Sequence, residues 1–189
     1  RDALDREADR LGALAVRGDV TNPADLQRVV ERAVDAFGGV DVLVNNSGGP
    51  PGGPDALGFT REQWQDAYTS LVLGPMAVIE AVLPGMRERG FGRVLNVVSA
   101  GVREPIPNLM LSNAHRVSMI NAFKTIARQV AADGVTLNSV LPGTIDTDRI
   151  LVTLRNALQH LDLHEENARL RETIESRYER SLPRMLFWT

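Results

Sequence analysis

Residues 92–148 read GRVLNVVSAGVREPIPNLMLSNAHRVSMINAFKTIARQVAADGVTLNSVLPGTIDTD, and this stretch decides the fold. An apolar strand from Arg93 to Val98 and another from Val135 to Leu141 flank a segment of helical period from Ser112 to Ala132. Two such strands joined by a helix read as a parallel pair with a right-handed crossover. Polar and small residues follow each strand: Ser99 after the first, then Pro142-Gly143-Thr144-Ile145-Asp146-Thr147 after the second.

Upstream the alternation continues. Ala13-Leu14-Ala15-Val16 reads as a short strand leading into Asp19-Val20. Thr21 or Asn22 can cap the next helix, with Pro23 near its first position, where a missing N–H costs nothing. Leu26, Val29, Val30, Ala33, Val34 and Phe37 give that helix its apolar face, and Gly38-Gly39 ends it. Val40 to Val44 is almost continuously apolar, the pattern of a parallel strand covered on both faces. Thr60-Arg61-Glu62-Gln63 reads as a capping box opening a helical region that runs to about Met86, with an interruption near Gly74-Pro75. The series predicts an α/β fold with a doubly wound parallel sheet. Residues 148–182 differ: Ile150, Leu151, Leu154, Leu158, Leu161 and Leu163 form an amphipathic pattern, followed by a charged stretch from Glu165 to Arg180.

Composition narrows the function classes. The 189 residues are 43% hydrophobic and 24% charged, with a formal net charge of −3, so no basic footprint for nucleic acid is present. No apolar run approaches the ~20 residues that span a bilayer. Cysteine is absent, which excludes disulfides and thiolate chemistry and fits a cytoplasmic setting. His160 and His164 stand at i and i+4 beside Asp162 and Glu165, but nothing else completes a metal site, and none is expected.

Together with Asn45-Asn46-Ser47-Gly48-Gly49, the strand-end motifs resemble the short-chain dehydrogenase/reductase family in order and spacing. The resemblance covers about residues 8 to 183 and implies a Rossmann-like single domain, 1–189, lacking the family's first two strands and its last strand. Residues 148–182 would then be the helical substrate lid. It implies NAD or NADP as cofactor, with Asp19 and Val20 at the adenine, and Asn46, Ser47 and Gly48 under the ribose. Pro142, Gly143, Ile145 and Thr147 would hold the nicotinamide carboxamide. The family's glycine-rich pyrophosphate turn has no counterpart in residues 1–189, so cofactor binding is expected to be weak or absent. The implied partners are a small-molecule carbonyl or secondary alcohol, and in a full-length protein a second or fourth copy, forming a homodimer or homotetramer. Met76, Ile79, Leu83, Met119, Phe123 and Ile126 are the candidate dimer face.

The chemistry departs from the family. Its catalytic helix carries Tyr-x-x-x-Lys, whereas this one carries Ser112-Asn113-Ala114-His115-Arg116. Ser99 precedes Ser112 by 13 residues, the family's Ser-to-Tyr spacing. The implied catalytic positions are therefore Ser99, Ser112 and Arg116, with Leu71 where the family has Asn. A β-ketoacyl-reductase-like subgroup is similar in carrying Ser-Asn-x-x-Arg. A serine hydroxyl is a far weaker acid than a tyrosine, and arginine stays charged throughout the working range. The expectation is an oxidoreductase with an impaired active site. The alternative is a cofactor- or ligand-binding pseudoenzyme. His115 can serve as an alternative acid, but the 100° step between successive helical residues favours a packing role.

Overall fold

The computed structural model describes residues 2–143, and these belong to a compact unit spanning Arg1–Gly143. Residues 144–189, with the expected lid and both of its histidines, Ile145 and Thr147, lie outside the described residues.

Capping chemistry sets the helices. After α1 (Asp2–Leu11), α2 (Pro23–Phe37) begins where Asn22 accepts the Ala24 N–H at 3.0 Å, with Pro23 at the first position. Gly38 ends it at φ 80°, a left-handed cap that side chains adopt poorly. The Thr60–Gln63 capping box opens α3 (Arg61–Tyr68): Gln63 N–H donates to Thr60 Oγ1 and Thr60 N–H to Gln63 Oε1. The expected interruption near Gly74 is a widened π turn over Thr69–Leu73, which runs without a break into α4 (Gly74–Glu88). The combined run Arg61–Glu88 is long and apolar enough by composition to cross a membrane. Its Ala67, Leu71, Val72, Ile79, Val82 and Met86 are instead buried in the protein's own core. The last helix, α5, spans Met110–Val130.

Strands β1 (Val42–Asn45), β2 (Gly92–Val97) and β3 (Val135–Val140) form a parallel sheet in the order β1-β2-β3. The register aligns Leu43, Val94 and Leu137 on one face and Val44, Leu95 and Asn138 on the other. The first face packs with α4 and α5 around Ile79, Met86, Met119, Phe123 and Val135. On the second, Val42 is 59% exposed and Val44 54%. The reading of Val40–Val44 as covered on both faces is therefore corrected: among the described residues only one face is covered.

Two further expectations change. Ala13–Val16 is not a strand. Among the described residues its backbone has no strand to pair with, and an unpaired ladder leaves the groups to solvent. The candidate dimer face is largely core: Ile79, Met119 and Phe123 are almost fully buried, and Met76, Leu83 and Ile126 are partly buried against them.

Candidate functional site

Parallel strands all end on one edge, and ligands of such sheets bind there. Three chain segments leave that edge here: Asn46-Ser47-Gly48 after β1, Val98-Ser99 after β2, and Leu141-Pro142-Gly143 after β3. The last two are tied together, since Val98 N–H donates to Val140 O at 2.9 Å and Ala100 N–H to Pro142 O at 3.0 Å.

Arg116, one turn into α5 from Ser112, joins the first two. Its Nε donates to Ser112 Oγ at 3.1 Å, one terminal nitrogen to Val97 O at 3.1 Å, and the other to Ser47 O at 3.3 Å. A planar fork with five N–H groups suits three acceptors in different directions, which a lysine ammonium cannot match in one plane. Partial burial lowers the Arg116 pKa from its ordinary value. The guanidinium starts so high that it remains charged. Ser112 is itself buried, so its hydroxyl lies under the guanidinium as an acceptor.

The other expected residues take simpler positions. Ser99 accepts the Gly101 N–H at 3.1 Å and caps a short 3-10 turn, Ala100–Val102. Asp19 accepts from Thr21 N–H at 2.8 Å and from its hydroxyl at 2.7 Å. Those two bonds, the backbone one larger, hold the Asp19 carboxyl below the usual carboxylate range. Val20 lies against the start of α4: a Cβ on Gly74 would sit 2.4 Å from Val20 O. Asn46 is exposed, Gly48 and Gly143 have no neighbour within 4 Å of a would-be Cβ among the described residues, and Pro142 is tied through its carbonyl. Leu71 is 3% exposed and belongs to the core.

His115 faces away from this chemistry. It is buried, its Nδ1–H donates to Leu111 O at 2.7 Å, and its ring lies 5.3 Å from that of Trp64 and 6.0 Å from that of Tyr68. It joins α5 to α3 by packing.

Some groups here had no signal in the sequence. The acceptors of Arg116 at Val97 and Ser47 are backbone carbonyls, which every residue carries. Asn45 and Asn96 stand in register on the buried face, 8% and 5% exposed, and neither Nδ2 has a partner among the described residues. Polar residues in an otherwise apolar strand are the one clue to such a pair. Among the described residues no group of three or more His, Cys, Asp or Glu is placed to hold a metal.

Comparison with known proteins agrees with this geometry. The family model described as enoyl-(acyl carrier protein) reductase matches residues 1–178. The 3-oxoacyl-[acyl-carrier-protein] reductase FabG of Vibrio cholerae is 37% identical over 132 residues, 69% of this chain and 53% of that protein. The D-beta-hydroxybutyrate dehydrogenase of Rhizobium meliloti is 32% identical over 131 residues, 68% of this chain and 50% of its own length. Among solved structures, a short-chain dehydrogenase from Streptomyces avermitilis matches with a TM-score of 0.72 and 31% identity, over 78% of this chain and 55% of that one. The L-sorbose reductase of Gluconobacter frateurii, solved with NADPH and L-sorbose, matches with a TM-score of 0.75 and 27% identity, over 93% and 66%. The chain spans about half the length of the curated relatives it matches. With the strand order, the strand-end motifs and these matches together, the chain belongs to the short-chain dehydrogenase/reductase family.

Proposed function

We propose that this chain belongs to a cytoplasmic NAD(P)-dependent oxidoreductase acting on a carbonyl or secondary alcohol, 3-oxoacyl-reductase-like, in which the family's proton-transfer step is impaired. The nicotinamide cofactor supplies or accepts the hydride when bound. Asp19 and Val20 would hold its adenine end, Asn46, Ser47 and Gly48 its ribose, and Pro142 and Gly143, with Ile145 and Thr147, its carboxamide. Two observations fit such a group: among the described residues Gly48 and Gly143 have no atom within 4 Å of where a Cβ would lie, and Arg116 has N–H groups beyond the three engaged there. Binding by residues 1–189 alone is weak or absent on this reading, because the family's glycine-rich turn is not among them.

The observation that carries the impairment is the Arg116 bond set. Its charge is fixed, and its Nε bonds the Ser112 hydroxyl that stands at the tyrosine position. Ser99 can polarise a substrate oxygen, but neither Ser112 nor Arg116 can deliver a proton near neutrality. Leu71, a buried apolar side chain where the family has Asn, cannot anchor a water either, which favours the second reading, a ligand-binding pseudoenzyme. Association as a homodimer or homotetramer remains part of the proposal, through surfaces other than the buried α4 and α5 positions.

The test is restoration. Ser112→Tyr with Arg116→Lys, in a protein extended to the relatives' length, should raise single-turnover NAD(P)H oxidation on a 3-oxoacyl substrate by about 10²–10⁴. Ser112→Tyr alone should gain less, because the ring must displace the guanidinium bonded above it. A double variant that binds cofactor yet stays at the background rate would move the pseudoenzyme reading ahead.

A further inference from the structure

We propose that Asn113 is a positioning residue that fixes the loop following Ser99 against the helix turn carrying Ser112 and Arg116. The loop leaves β2, passes through Ala100–Val102 and returns at Leu109 into α5. The Asn113 Nδ2 donates to Ile106 O at 2.9 Å, and its Oδ1 accepts from Ile106 N–H at 3.4 Å. Both arms of one amide thus close on the backbone of one loop residue, as a neighbouring strand would. This is not a cap of the helix: the cap position is Leu109, no side chain caps it, and Ile106 lies outside α5.

Close packing extends the tie back to Ser99. Gly101, whose N–H bonds Ser99 Oγ, is buried, and a Cβ there would lie 2.6 Å from Asn113 Oδ1 and 3.3 Å from Ile106 Cδ1. The amide of Asn113 fills the space that a side chain at 101 would need. Ser99, Gly101, Asn113 and Ser112 therefore form a continuous path by bond, contact and chain. The far end of the loop is held too, since Asn108, at φ 65°, accepts the Gly53 N–H at 2.9 Å. Asn113 so ties the segment after β2 to the helix that bears the site, and the Asn108 carbonyl separately holds the glycine-rich segment after β1 to the same loop. The consequence for catalysis, that Asn113 sets the separation of Ser99 from Ser112, rests on the function proposed above; the tie itself does not.

Trypsin reads the tie directly, because Arg103 is exposed inside the loop and cleavage there follows local opening. Asn113→Ala should raise the rate of cleavage after Arg103 on the order of tenfold, with cleavage after Arg28 in α2 unchanged. Asn113→Asp keeps the volume but loses the donor to Ile106 O, and should give the same local increase if the alanine variant folds poorly. Gly101→Ala should loosen the loop equally by displacing the amide. Combined with Asn113→Ala it should add little, since the 2.6 Å clash with Oδ1 is then gone and only the 3.3 Å approach to the flexible end of Ile106 remains. An unchanged Arg103 rate in both Asn113 variants, an equal rise at Arg28, or multiplying effects in the double variant would each overturn the proposal. None of these rates needs cofactor or turnover, so they stand or fall apart from the restoration experiment.

Discussion

Arg116 does with one side chain what three separate contacts would otherwise do, and a conservative replacement tests that. A lysine there carries the same charge but cannot reach Val97 O, Ser47 O and Ser112 Oγ in one planar fork. Hydrogen bonds to charged groups contribute about 1.5–3 kcal/mol each, discounted here because the site is half-open. We therefore expect Arg116→Lys to cost about 1 kcal/mol and Arg116→Met about 2 kcal/mol, measured as unfolding free energy in urea. Equal stability of both variants and the parent would mean that the bonds only replace water. At the same scale, Asp19 predicts a pH effect. Its folded pKa lies below the unfolded value, chiefly through the Thr21 N–H. Asp25 behaves likewise, through the Asp19 N–H first and then Arg28. Their stabilisation is present above about pH 4 and is lost as pH falls through the lowered values. Protection of the Thr21 amide from exchange, relative to its intrinsic rate, should fall over that acidic range, and Asp19→Asn should flatten the change. The roles of Asn22 and Thr60 were legible in sequence because a capping side chain is itself the signal. The two carbonyl partners of Arg116, at Val97 and Ser47, were not, because a carbonyl belongs to no residue type.

Elements were legible where their cause is local. The three strands and the four helices from Pro23 onward follow from caps and period, each within a few residues of its observed ends. Ala13–Val16 was misread because a strand is a property of a pair, and its apolar run carries no information on whether a neighbour exists. Three of the α4 and α5 positions assigned to a dimer were misread for a related reason: apolar period says that a face is buried, not by what. Ile79, Met119 and Phe123 are covered by the chain's own sheet and helices. Gly74 supplies an element-scale test. Its backbone is helical, at φ −59°, so alanine there is unstrained in itself. Its added Cβ, however, would meet Val20 O at 2.4 Å, backbone that cannot rotate away. Gly74→Ala should therefore destabilise by about 1–3 kcal/mol despite the higher helix propensity of alanine. It should also speed exchange in the Asp19–Asn22 turn. A gain in thermal stability would place the contact between the turn and α4 in doubt.

At the scale of the whole unit, the sheet is asymmetric. Val94 and Leu137 are buried and Leu43 partly buried against the core of α4 and α5, while the opposite face presents Val42, Val44 and Val140 at 59%, 54% and 46% exposure. Arg93 and Thr136 share the row of Val42, and Arg93 stacks its guanidinium 4.4 Å from the Phe91 ring, leaving the valines as the apolar centre of that face. A contiguous exposed apolar patch on a sheet attracts other apolar surfaces. The same face explains why the sequence read Val40–Val44 as doubly covered: its composition suits a buried strand, and the covering layer is not among the described residues. The 189-residue chain should consequently bind a hydrophobic dye such as ANS in its native state. Val42→Thr with Val44→Thr removes apolar surface while keeping β-branched side chains that hold strand conformation. Since neither side chain packs into the core, the double variant should unfold within about 0.5 kcal/mol of the parent. Its dye fluorescence, and any concentration-dependent association in sedimentation, should fall. If the valines are covered in solution, the outcome reverses: the substitution costs the burial of two side chains, about 1.5–3 kcal/mol each, and the dye signal does not change.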